Sequence, residues 1–426
     1  MPSAEQMPEI IKVERIAPGG SGIARLSTGE VVFVESTAPG DEIEVAHIER
    51  RKGIAHARVE RLLSAGPGRV APICPHAQQC GGCDFMHLSL EAQREAKLAM
   101  LEDALRRVGD SPQGNVPVGF VPSDEPVGYR SRCRLHTNSN GDVGFLAARS
   151  KQLVVPAQCA VASPGINAAL SALAQVNPAA RRALSFCEQI ELREAANEPR
   201  LVARLVPKPK ACLTAENYTP LFPPGTRVVV AGQPDEALLV QRFRLPGSVE
   251  MVVPAAAFTQ VNQFINQKLV SAVLDAVARH EVCTFLDAYA GAGNFTLPLL
   301  AHGLKGEAMD MHAAGVYCAR SVARDRGWSF DGFQVGDARK LMTALVRAKR
   351  EFDLVLLDPP RDGSKDVLQV ALQLKPKLIL LVACDPVALA RDLRALVNAG
   401  GQVEKLTVFD MFPHTHHFET LAEVSV

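Results

Sequence analysis

The sequence predicts a multidomain α/β protein: an OB-like β-barrel at the N-terminus, a central α+β domain, and a C-terminal Rossmann-like sheet. Three observations carry this. At 426 residues the chain exceeds one ordinary core, so two or three domains are expected. Residues 10–63 are short β-rich runs punctuated by Gly and Pro. Near the other end, Leu354–Leu357 and Leu378–Val382 are continuous apolar runs, each stopped by Pro, with a helix-period segment, Asp366–Leu374, between them. That is the pattern of buried parallel strands joined by a helix. The reading divides the chain at 1–65, 66–250 and 251–426.

Composition narrows the class. Hydrophobic residues make 47% and charged residues 22%, which is globular and argues against disorder. Lys+Arg and Asp+Glu are both 46, so any nucleic-acid partner must be met by a local basic face. The start, MPSAEQMPEIIKVERI, lacks a basic segment followed by an apolar one, and no run approaches a membrane span. A cytoplasmic protein is expected, in which ten cysteines serve as thiols or metal ligands.

The N-terminal unit turns at Gly19-Gly20, Gly22, Gly29 and Pro39-Gly40. Its number of strands suits an OB-like barrel, a scaffold for oligonucleotides. Arg50, Arg51, Lys52, Arg58 and Arg61 cluster late in it and read as a solvated surface before an RNA-binding one.

Cys74, Cys80 and Cys83 follow with C-x5-C-x2-C spacing around Gly81-Gly82, and Cys159 is the best candidate for a fourth ligand. The uneven spacing favours an iron–sulfur cluster over zinc, with no metal as the third reading. Cys133, Cys187, Cys212, Cys283 and Cys318 stand alone and are expected to be small buried hydrophobes.

Leu90–Val108 has helical spacing, with Leu90, Leu98, Leu101, Leu105 and Val108 on one side, and a Gly/Pro-rich link follows at Gly109–Pro117. In the hairpin after it, Arg130, Arg132 and Arg134 alternate, so they share one face of a strand. Three guanidiniums there suit a phosphate backbone, or simply a polar surface. Residues 160–250 mix a helix with strands and offer no chemistry.

PAAAFTQVNQFINQKLV, from Pro254, opens a helix whose polar face carries Asn262, Gln263 and Asn266. Gln260 is either a ligand contact or an ordinary loop residue. FLDAYAGAGNFTLPLL, residues 285–300, is strand–glycine turn–helix. Asp287, Asp310, Asp337 and Asp358 then fall at four successive strand ends. Four acids so placed are the layout of an S-adenosylmethionine site.

Taken together, GGSGIAR, CPHAQQCGGC, GYRSRCRL, FTQVNQ, DAYAGAGNFTL, LLDPPRDG, ACDPVALARD and DMFPHTHHFETLAEV resemble the RumA-type RNA uracil-5-methyltransferases of the TrmA superfamily. The N-terminal stretch is similar to the TRAM domain, an RNA-binding β-barrel. The resemblance spans nearly the whole chain. It implies S-adenosylmethionine contacts at Gln260, Tyr289, Asn294, Asp310, Asp337 and Asp358, and a 4Fe–4S cluster on Cys74, Cys80, Cys83 and Cys159 in the central domain. It implies a nucleophile at Cys384 and a base at Glu419. The partner it implies is RNA, large-subunit rRNA ahead of tRNA; no protein or membrane partner is indicated.

These residue types fit the chemistry. Uracil C5 becomes nucleophilic only after a thiolate adds at C6, and a carboxylate must then remove the C5 proton. The chain departs from the family at Ala383 and Asp385, which stand for Ser and Asn, at Asp310 for Glu, and at Tyr289 for Phe. A carboxylate at Asp385 is expected to raise the thiol pKa. His414, His416 and His417 are expected to be solvated or RNA-facing rather than a metal cluster. The alternatives are methylation of tRNA or of an amino group, and a catalytically silent RNA-binding assembly factor. Arg361 after Asp358-Pro359-Pro360 argues against amino-group chemistry, which prefers an aromatic residue there.

Overall fold

The structure, a computed structural model, describes residues 8–108, 116–197, 199–328 and 332–426. Most of the expected 109–117 link lies outside them.

The N-terminal unit is a curled six-stranded sheet in the order Glu9–Lys12, Glu42–Arg51, Ile54–Ser64, Val31–Val34, Gly22–Arg25, Arg15–Ile16. Alternate residues of its strands, among them Ile11, Val32, Val34, Ile43 and Val45, fill the interior. Its late arginines are exposed and paired: Arg50 with Glu30, Arg51 with Glu49, Arg61 with Glu44.

The central sheet runs Leu153–Val154, Val143–Leu146, Arg132–Thr137, Cys187–Glu194, Leu201–Pro207, Arg227–Val230. Helix Pro164–Ala174 buries Ile166, Ala169, Leu170 and Leu173 in the same core as Cys133 and Cys187. Cys212 and Cys283, by contrast, are exposed and Cys318 is half-buried, so the expectation of buried lone thiols fails for three of the five.

The C-terminal sheet has eight strands: Phe333–Val335, Lys305–Asp310, Thr284–Asp287, Leu354–Leu357, Leu378–Ala383, Glu419–Ser425, Gln402–Phe409, Val118–Val121. The first five are parallel; Glu419–Ser425 runs antiparallel to both of its neighbours. Leu354–Leu357 and Leu378–Val382 are wholly buried because helices cover both faces. Each such Leu, Ile or Val side chain contributes about 1.5–3 kcal/mol on burial. The chain leaves Thr284–Asp287 in one direction and returns on its other side as Leu354–Leu357, so the order reverses between these two strands. In such sheets the ligand crevice opens beyond the carboxyl ends at that reversal.

Two features of the sheet draw on the rest of the chain. Val118–Val121 joins it as an edge strand, parallel to Gln402–Phe409. The hairpin Val240–Leu245/Val249–Pro254 packs Phe243, Leu245, Met251 and Val253 into the C-terminal core, so a division at 250 cuts through a hairpin. Helix Leu90–Val108 forms as its spacing indicates, but Leu90 is exposed while Gln93 and Lys97 are buried. No helix among the described residues is long and apolar enough to cross a membrane.

Candidate active site

Register brings the nucleophile and base candidates together. Leu357 pairs with Leu381, and Ala383 pairs with Thr420. Asp358, Cys384 and Glu419 are each the next residue at the same mouth. Pro386 opens a helix directly after the strand, which holds Cys384 at the crevice instead of inside the sheet.

The electrostatics follow from burial. Glu419 is 5% exposed, and desolvation together with the Asp358 carboxylate pushes it well above the usual carboxyl range. Asp358 is raised likewise, by burial and then by Asp287 and Asp310. Cys384 is raised to about 11 by burial and by the charges of Glu419 and Asp358. Arg361 opposes both shifts at the mouth. It is exposed, and among the described residues it makes no ion pair within contact distance. Sequence reasoning used Arg361 only to exclude another chemistry; its position three residues after Asp358 was the available signal.

Asp385 corrects an expectation. Its Oδ1 accepts from the backbone N–H of Val387 (2.9 Å) and Ala388 (2.8 Å), capping helix Pro386–Asn398. The carboxylates that raise the thiol are Glu419 and Asp358.

The glycine loop sits as its spacing indicates. Gly291 and Gly293 have φ of +55° and +91°, and a Cβ at Gly293 would meet Leu297 at 2.7 Å. Asp310 accepts from the N–H groups of Gly291 (2.9 Å) and His312 (2.7 Å), bracing the loop from the next strand. Asp337 caps helix Ala338–Arg347 through Lys340 N–H at 3.0 Å. Tyr289 is half-buried among Asp337, Asp366, Asp392 and Asp310, and desolvation followed by these charges raises its phenol to about 12. Asp287, the first of the four strand-end acids, is fully buried; one oxygen accepts from Thr296 Oγ1 (2.6 Å) and Oδ1 has no hydrogen-bond partner among the described residues. Burial carries it to about 7.

Pro254 ends a strand, and the helix that this segment opens starts at Gln263, with Gln260 ahead of it as the sequence indicates. Asn262 caps it through Ile265 N–H (3.2 Å), and Asn266 exchanges two hydrogen bonds with Asn294 (2.8 and 3.0 Å). Asn266 is thereby tied, while itself buried, to the end of the glycine loop. Gln260 is 7% exposed, beside Val261, whose carbonyl accepts from Ser131 N–H at 2.8 Å.

The arginine triplet is divided. Arg132 and Arg134 both reach Glu191, and Arg132 also lies 5.8 Å from the Phe258 ring centroid. Arg130 acts instead on the cysteine loop, where its charge favours the thiolates of Cys80 and Cys83. There Cys74, Cys83 and Cys159 pack against Met86, Tyr129, Val161 and Val261, and Cys80 is close enough for its charge to act on Cys83. Burial first, then these neighbours, raises Cys83 to about 12. Among the described residues no three His, Cys, Asp or Glu side chains are arranged as a metal-binding group. The donor set nevertheless fits an iron–sulfur cluster: four soft thiols beside one guanidinium, on a loop where a Cβ at Gly81 would come within 3.1 Å of the Ala148 backbone.

Of the three histidines, His414 is buried at 8% exposed, while His416, bonded to Asp84, and His417 are only half-buried; His417 is lowered to about 4 by burial and then by His416 and Arg361.

Comparison with known proteins agrees with this geometry. A tRNA (Uracil-5-)-methyltransferase family model matches residues 338–423 and a TRAM domain model matches 10–59. A 23S rRNA (uracil(1939)-C(5))-methyltransferase RlmD of Klebsiella pneumoniae is 33% identical, over 96% of this chain and 94% of its own. The chain belongs to the RlmD family of RNA uracil-C5-methyltransferases. The RlmD of Edwardsiella ictaluri is 34% identical over 95% and 92% of the two chains. A Pyrococcus abyssi tRNA (uracil-54, C5)-methyltransferase, solved with S-adenosyl-L-homocysteine, has a TM-score of 0.76 at 25% identity, covering 97% of this chain and 99% of its own. Family membership thus rests on the full length, barrel included, and not on the catalytic sheet alone.

Proposed function

We propose that this protein methylates C5 of a uridine in 23S rRNA, with Cys384 as nucleophile and Glu419 as base. The observation that carries the reading is the register placing Cys384, Glu419 and Asp358 at one strand-end mouth. The full-length RlmD relatives favour 23S rRNA over tRNA as the substrate.

The target base leaves its stack to enter the crevice. The Cys384 thiolate adds to C6, and its electrons pass through the ring to C5, which bonds to the incoming methyl group. S-adenosylmethionine supplies that methyl group as an electrophile. Gln260, Tyr289, Asn294, Asp310, Asp337 and Asp358 are the residues that would hold it, around the glycine loop. Glu419 then takes the C5 proton, the C5–C6 double bond re-forms, and the sulfur leaves. Arg361 favours the charged forms of both Cys384 and Glu419. The N-terminal TRAM unit and the central domain serve RNA binding.

Cys74, Cys80, Cys83 and Cys159 would hold a 4Fe–4S cluster, supported by four thiols near enough to act on one another's charge and by the Arg130 charge. Iron and sulfide assayed in anaerobically purified protein test it; stoichiometric zinc without iron overturns it.

The activity is tested by mass mapping of 5-methyluridine in rRNA and tRNA from cells with and without the gene. Loss at one 23S uridine supports the proposal. Loss confined to tRNA keeps the chemistry and moves the substrate, and no loss anywhere overturns the reading.

A further inference from the structure

The chemistry uses Glu419 but not the strap that leads to it. Residues 410–418 leave the sheet after Gln402–Phe409, cross to the cysteine loop, and return as the strand that begins at Glu419. Five hydrogen bonds fix the first half. Lys97 Nζ donates to Asp410 Oδ1 (2.6 Å) and to the Phe412 carbonyl (3.1 Å). Tyr129 O–H donates to the Pro413 carbonyl (3.0 Å), and His414 N–H donates to Gln93 Oε1 (2.8 Å). Phe85 N–H donates to the His414 carbonyl (2.9 Å).

The last tie has another character. Asp84 follows Cys83 directly. Its Oδ1 accepts from His416 N–H at 2.9 Å, and its Oδ2 bonds the His416 ring at Nδ1. Among the described residues this is the final hydrogen-bonded side-chain tie from outside the strap before Glu419, ahead of Phe418, which is buried in the core. The His416 ring lies against His417, centroids 3.9 Å apart, and His417 stands edge-on to Phe412 at 6.1 Å. The barrel closes over the pair: a Cβ at Gly20 would meet Asp84 Oδ2 at 2.7 Å and His416 Cβ at 3.1 Å. Three parts of the chain therefore meet at one carboxylate–imidazole contact, three residues from the proposed base.

We propose that Asp84 and His416 form a positioning pair through which the cysteine loop fixes the end of the strap and so places Glu419 for removal of the C5 proton. The inference rests on the reading of Glu419 as that base. In the step concerned, the Glu419 carboxylate takes the proton from C5. The C–H electron pair becomes the C5–C6 double bond, and the Cys384 sulfur leaves C6 with the electrons of the C–S bond. A misplaced base slows this release without blocking the earlier attack and methyl transfer. That distinguishes positioning from a general structural role.

The experiment uses full-length protein with its iron content assayed, S-adenosylmethionine, and a 23S rRNA fragment containing the methylated site. Asp84→Ala and His416→Ala are compared with wild type and with Glu419→Gln. Expected is a fall in kcat of about tenfold or more with little change in KM for S-adenosylmethionine, given the sensitivity of rate to small displacements. A methylated protein–RNA adduct that survives denaturing electrophoresis should accumulate, as it should for Glu419→Gln. Asp84→Asn, which still accepts from the His416 N–H, should fall between. Unchanged kcat, or slow turnover without adduct, overturns the pair. If the Asp84 variants do not fold, His416→Ala decides from the other side of the contact. A wild type that makes neither 5-methyluridine nor adduct sinks the activity reading and this pair together. An active wild type with adduct-free variants sinks the pair alone.

Discussion

At pH 7 a thiol raised to about 11 is ionised to only about one part in ten thousand, so Cys384 is held in reserve in the free enzyme. Thiolate then grows about tenfold per pH unit, and methylation under kcat/KM conditions is expected to rise with a slope near one across neutral pH. A flat pH–rate profile would refute Cys384 as the group that limits attack. Arg361→Gln removes the cation that opposes Glu419 and Asp358. Its profile should shift to higher pH, with the neutral rate down about tenfold. Cys384→Ala should abolish methylation while filter binding of RNA persists; unchanged turnover would falsify the nucleophile assignment. Asp385 belongs to a different account. Adjacent in sequence, it reads as a repulsive neighbour of the thiol, yet its carboxylate is turned back onto the next helix.

At the scale of elements, that cap gives a separable prediction. Asp385→Ala should cost about 1 kcal/mol in denaturant unfolding, the usual loss for an N-cap, and leave the alkylation rate of Cys384 nearly unchanged. Strongly altered alkylation would restore the sequence-based expectation. Helix Leu90–Val108 shows the same limit of local reading. Its extent was legible, and Leu98, Leu101 and Leu105 pack on the core as their spacing indicates, but the burial of Gln93 and Lys97 was not legible, because their partners lie more than 300 positions away. Lys97 is wholly buried, and desolvation favours its neutral form while Asp410 opposes this. Lys97→Ala should cost about 3–5 kcal/mol by stranding Asp410, whereas Lys97→Met with Asp410→Leu should recover much of that loss. A single variant as stable as wild type would show that the pair is not buried in solution. The helix after Pro254 begins only at the Asn262 cap because the residues up to Pro254 pair as a strand.

At the scale of the molecule, the crevice stores carboxyl groups that resist ionisation until a cation arrives. Asp287 stands at about 7 when folded against an ordinary 3.8. A raised folded pKa means stability that is complete below the ordinary value and lost as pH rises through the folded one. The ligand-free protein should therefore lose melting temperature between about pH 4 and 7, and Asp287→Asn should flatten that slope. A slope unchanged in the variant would assign the effect to Asp358 and Glu419. The cysteine loop, the barrel and the catalytic tail meet at Asp84, so removing the thiols should loosen more than their own loop.

Local patterns along the chain were enough to mark the strands, the glycine turn and the site candidates. Apolar runs stopped by proline set the strands Leu354–Leu357 and Leu378–Ala383, the glycine turn set the loop at 291–293, and ordered motifs named the candidates Cys384 and Glu419. Only the tertiary structure decided how side chains far apart in the chain divide their partners. It sent Arg130 to the cysteine loop and Arg132 to Glu191, buried Asn266 against Asn294, gave Asp385 to a helix end, and set Asp84 on His416. The reason is physical. Strand and turn signals depend on neighbouring residues, whereas burial, charge and hydrogen-bond partners are fixed by packing between segments that local pattern does not relate.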